Sequence, residues 1–216
     1  MRNFKLALAA AVGVTLITAG GTLAKPNGAQ RPTLDVSAVV LRASQVGPGY
    51  RRSVIPGGLK VRGQVTLDIC GFKFRSEALR TQRIQLAYIR PGSPLELSNE
   101  VVRYRRGGAS MALHEVARAA AHCPTGLVKT PYPDVSQAVF RVKPLHVGGL
   151  LPHSIALQLH VSGLSHGRRF SVTTIGVFQV RDSVLSGVYT AGGPITAQKR
   201  LGFHAARESA KNLRAA

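Results

Sequence analysis

The chain has 216 residues, 44% of them hydrophobic, with 29 Lys or Arg against 9 Asp or Glu and a formal net charge of +20. Hydrophobic content is sufficient to bury a core of useful size, and the charge favours anionic partners. So few carboxylates give poor support to paired-carboxylate hydrolysis. The scattered Arg residues, without a basic tail, zinc-finger spacing or aromatic RNA-binding motif, exclude a dedicated nucleic-acid reader.

In chain order, Arg2 and Lys5 precede an uncharged run from Leu6 to Leu23, and Thr22-Leu23-Ala24 supplies small residues around a cut after Ala24. That pattern predicts a secretory signal over 1–24. A retained anchor is the alternative, although glycines and threonines make the run a weak span. No cysteine near the cut supports lipid anchoring. Residues 25–33, with two prolines, read as a linker, and 34–216 as a single domain. A short helical pattern over 34–45 ends at Gly47-Pro48-Gly49.

Alternation of Val65, Leu67 and Ile69 predicts a strand delivering Cys70, and Ser76 is placed to cap a short helix. Two antiparallel strands follow, over 83–90 and 97–105. Gly107 and Gly108 open a helix with Leu113, Val116, Ala117, Ala120 and Cys123 on its apolar face. In an exported chain, a lone pair of cysteines reads as one disulfide, Cys70–Cys123. Three strands over 154–163, 168–180 and 184–190 form a meander, with a bulge expected near Thr173-Thr174. A last helix after Pro194 carries Phe203, Ala206, Ala210 and Leu213 on one stripe. The pattern predicts an α+β two-layer sandwich: an antiparallel sheet of about five to seven strands with helices packed on it.

Gly163-Leu164-Ser165-His166-Gly167 matches the G-x-S-x-G nucleophile elbow, and Asp182 and His204 follow in the right order. The pentapeptide precedes a strand rather than a helix, so it reads as a hairpin turn. Seven histidines form no metal-ligand spacing, and no phosphate-binding glycine loop is present.

The stretch 68–124 contains "DICG", "SEALRTQRIQLAYI", "NEVVRYRRGG" and an alanine-rich helix ending in Cys123-Pro124. It resembles actinobacterial extracytoplasmic sensor-domain proteins, a group that includes the outer domain of a mycobacterial serine/threonine kinase. The resemblance implies an antiparallel sheet with helices, a cleft that binds a ligand, and no catalysis. Where the kinase sensor has two disulfides, this chain can make one. The expected function is a secreted, non-catalytic ligand-binding or sensor-like protein of the cell envelope, without cofactor or metal. Its partner would be a small molecule or an anionic envelope component, with a membrane surface as a further possibility. Glu100, Arg103 and Arg105 are candidate ligand-binding residues at the cleft rim, because their strand is expected to present one polar face. The alternatives are a cationic protein adhering to anionic envelope polymer or lipid, and an extracellular serine hydrolase using Ser165.

Overall fold

A computed structural model describes residues 34–132 and 135–216, so the expected signal and linker lie outside the described residues. Eight strands form one antiparallel sheet: β1 (Arg51–Val54), β2 (Arg80–Ile89), β3 (Glu96–Tyr104), β4 (Leu127–Tyr132), β5 (Val135–Leu145), β6 (Ser154–Ser165), β7 (Arg168–Arg181) and β8 (Val184–Ala191). Their spatial order is β1-β2-β3-β8-β7-β6-β5-β4. The sheet therefore exceeds the five to seven strands expected. β1 is exposed along its whole length and shows no apolar alternation. Pro131 and Pro144 interrupt the patterns of β4 and β5, and both are tolerated at the sheet margin.

Residues opposite one another in an antiparallel ladder share a side, so the register assigns the faces. On one side Val102, Leu185, Phe178 and Leu157 pack with α3 (Gly108–Ala121). On the other, Leu86, Leu97, Val101 and Val188 pack with α1 (Val36–Val39), α2 (Ala43–Val46) and α4 (Ile195–Ala215). Ile175, Val177 and Ala206 extend that second core. Helices thus cover both faces, making three layers instead of the expected two. Consecutive Val101 and Val102 are both fully buried, a pattern that one-sided burial does not produce.

The same geometry corrects the expected bulge in β7. Its ladder with β6 runs without a shift from Arg168↔Ser165 to Gln179↔Ser154. Phe170 and Val172 stand on the α3 side while Ile175 and Val177 stand on the α4 side, so the apolar phase switches because the covering layer switches.

Residues 34–46 form two single turns, not one helix. Between them the chain drops onto the sheet, where Leu41 N donates to Asn99 Oδ1 at 3.0 Å and Tyr88 Oη donates to Leu41 O at 2.5 Å. Val65–Ile69 is irregular rather than a strand; Leu67 and Ile69 are buried as the alternation placed them, but Val65 is exposed and Thr66 is buried, because no strand pairing holds the alternation there. Ser76 lies inside a 3-10 helix, Arg75–Leu79, whose first N–H groups donate to the buried Glu115 carboxylate of α3 at 2.9 and 3.1 Å. Gly202 lets α4 approach the sheet: a Cβ there would lie 3.2 Å from Thr190 Oγ1.

Cys70 and Cys123 are joined, with Cα atoms 5.3 Å apart and a sequence separation of 53. Cys123 falls just beyond α3, past its C-cap His122, rather than on the helix stripe. The bridge pins the 55–79 excursion and the end of α3 against β5, whose Phe140 carbonyl lies 3.9 Å from Cys123 Sγ.

Candidate functional site

The 55–79 excursion folds over the α3 side of β2 and β3, which encloses side chains that an open strand would give to water. Glu100 is 1% exposed and ion-paired with Arg83 Nε. Arg83 spends its remaining donors on Gly57 O at 2.9 Å and Gln85 Oε1 at 2.5 Å. Thr66 Oγ1 donates to Glu100 Oε1 at 2.9 Å and accepts from Arg80 Nη1 at 2.7 Å. Arg80 also reaches Gln64 O at 2.6 Å and pairs with Glu77 at 3.1 Å. Burial pushes the Glu100 carboxyl up to about 7, against the attraction of Arg83 and its hydrogen bonds. Burial raises Glu77 as well, opposed by Arg80.

From this network a hydrogen-bonded path leads along the sheet. Gln85 Nε2 donates to Ser98 Oγ at 3.5 Å. Ser98 sits between Ala87 of β2 and Tyr189 of β8 in the register. These three residues lie in a shallow depression of about 160 Å³, walled by Ile55 and Ile89 and bordered by Glu96. Tyr189 is held edge-on against Phe178, with ring centroids 5.5 Å apart. The surface is mostly apolar, with Ser98 as a polar group joined to a buried charge pair behind it. Such a surface can bind and orient a small apolar group.

The expected site residues are separated by the fold. Glu100 and Arg103 differ by an odd number of positions along β3 and so point to opposite sides. Glu100 belongs to the buried network rather than to a rim. Arg103 is half-buried on the α1–α4 side opposite Val184, and its Nε has no hydrogen-bond partner among the described residues. Arg105 is exposed beyond the strand, its N–H donating to Leu79 O. None of the three lines the depression. Arg83, Thr66, Ala87 and Ser98 were not singled out from sequence. Arg83 and Gln85 alternate with the apolar Ile84 and Leu86 and read as a solvent face, because nothing in β2 records the excursion covering it.

Ser165, at the end of β6, is buried in the hairpin turned by His166 and Gly167, both at positive φ. Asp182 turns the opposite end of β7, which has 14 residues, placing it roughly 40 Å from Ser165. Ser165, Asp182 and His204 therefore do not assemble as a triad. Among the described residues, no three His, Cys, Asp or Glu side chains cluster as metal ligands.

Neither a protein-family description nor a curated protein sequence matches this chain. Solved structures do. The crystal structure of the extracellular domain of PknH from Mycobacterium tuberculosis superposes with a TM-score of 0.50 at 17% identity, covering 82% of this chain and 94% of that one. The two folds are similar. An X-ray structure of the Mycobacterium smegmatis ortholog of Rv0999 aligns over 85% of this chain and 98% of its own length, with 12% identity and a TM-score of 0.45. The resemblance seen in 68–124 is thus matched by the three-dimensional fold over most of the described chain.

Proposed function

We propose that the protein is a secreted, non-catalytic, sensor-like module of the bacterial cell envelope that binds a ligand at the depression over Ala87, Ser98 and Tyr189. One observation carries this reading: the floor is prebuilt. Ser98 is tied through Gln85 to the buried Arg83–Glu100 pair, so the surface needs little ordering when a ligand arrives. The small apolar shape fits an aliphatic or aromatic group of a larger envelope component, with Ser98 orienting it. Fold similarity to an extracellular domain and the Cys70–Cys123 bridge support an oxidising, extracytoplasmic location.

The test is native mass spectrometry of the protein purified from the exporting host, beside an Ala87→Trp variant that fills the depression. Wild type should retain an apolar adduct that the variant loses. Equal adducts on both proteins, or none on wild type across several growth conditions, would reject the assignment.

A further inference from the structure

The face opposite the depression is left half open. There α4 packs on β7 and β8 and reaches Ala156 and Leu145 at one end of β6 and β5, and α1 packs on β2 and β3, whereas among the described residues β4 and the other ends of β5 and β6 are left largely uncovered on that side. The register places Leu127 and Lys129 of β4, Arg141 and Lys143 of β5, Leu164 of β6 and Arg169 of β7 together on this open area. The four cations are all exposed.

Two observations coincide. Leu127 and Leu164 are 64% and 57% exposed, two of the most exposed large apolar residues described. Strand spacing sets them about 12 Å apart, with the cations around them. Among the described residues the charge here is also of one sign. The described carboxylates lie elsewhere: in the α3 layer, beside α1 and α4, at the depression border and in the β7–β8 turn. A hydrated polyanion would use the cations and gain nothing from two protruding leucines. An anionic bilayer uses both.

We propose that this open sheet face docks on an anionic lipid membrane, with Leu127 and Leu164 entering the interface while Lys129, Arg141, Lys143 and Arg169 meet lipid phosphates. The assignment does not depend on the depression, which lies on the other side of the sheet.

The experiment is sedimentation with vesicles of phosphatidylcholine, alone or with phosphatidylglycerol at one part in three. The protein should bind the mixed vesicles and not the neutral ones. K129Q/R141Q/R169Q should weaken binding about a hundredfold at low salt. L127S/L164S should weaken it about tenfold, and the loss should persist at high salt, where charge is screened. R51Q/R52Q/K60Q, which removes equal charge at exposed positions on and beside β1, should change binding less than about twofold, because those cations lie outside the docking face. All of these side chains are exposed, so the melting temperature measured alongside should hold.

Failure to bind the mixed vesicles overturns the proposal. So does an equal loss in the R51Q/R52Q/K60Q variant, which would assign binding to net charge. An unchanged L127S/L164S variant displaced by inorganic polyphosphate would assign a soluble polyanion as partner instead.

Discussion

Removing one member of the Arg83–Glu100 pair leaves a buried charge without its counterion. Their side chains are 2% and 1% exposed, so water cannot replace what is lost. Glu100→Leu strands a guanidinium that keeps Gly57 O and Gln85 Oε1 as acceptors but has no anion. Arg83→Met strands a carboxylate held by the Thr66 hydroxyl. Each single change should cost about 3–5 kcal/mol. The double variant removes both desolvated charges and leaves Thr66, Gln85 and Gly57 O short of one partner each, a loss of about 1–2 kcal/mol. It should therefore be more stable than either single variant. Urea unfolding at pH 8, where Glu100 is mainly ionised, measures all four corners of the cycle. A double variant destabilised by the sum of the two singles would refute the coupling and with it the rigid floor beneath Ser98.

Stability should also depend on pH through Glu100. Its folded-state pKa is raised from 4.5 to about 7, so its contribution is full below about pH 4.5 and is lost as pH rises through about 7, up to about 3 kcal/mol. Glu100→Gln should flatten urea midpoints across that window, leaving a smaller slope of the same sign from Glu77; an unchanged wild-type slope refutes the assignment. Replacing both cysteines by Ala should cost about 4 kcal/mol by chain-entropy arithmetic for a 53-residue separation. Thiol titration of unfolded, unreduced wild type should find no free thiol. Asn99→Ala removes the acceptor of Leu41 N and the donors to Ser186 Oγ and Gly187 O. It should cost about 2–3 kcal/mol, and a shift under about 1 kcal/mol would show that the α1–α2 connection is not held there.

The strands with strong alternation were legible: β2, β3 and the β6–β8 meander lie close to where their patterns placed them, as does α3. The disulfide was legible from compartment and count. What stayed hidden was cover. A period-2 pattern says which residues share a side, but not whether an excursion or a helix lies over that side. Phe170 and Val172 against Ile175 and Val177 therefore looked like a bulge, and Arg83 like a surface residue. Glu100, Arg103 and Arg105 share one polar face only if the strand's polar residues keep one parity, which Glu100 does not. β4 and β5 were missed because their prolines argue against strands unless the sheet margin is already known.

The strand order has a consequence for how the chain comes together in time. β1, β2 and β3 are neighbours formed from the first half, β4 through β8 from the second, and the β3–β8 ladder joins Glu96–Arg103 to Val184–Ala191. During synthesis the first half emerges long before its partner strand. In that interval β3, central in the finished sheet, is a bare edge. Asn99 sits in the middle of that edge, and its amide donors, which reach Ser186 and Gly187 only once β8 arrives, are a polar group that a foreign strand would have to bury unpaired. The same residue that ties the finished sheet to its covering segment therefore guards the unfinished one against the wrong neighbour.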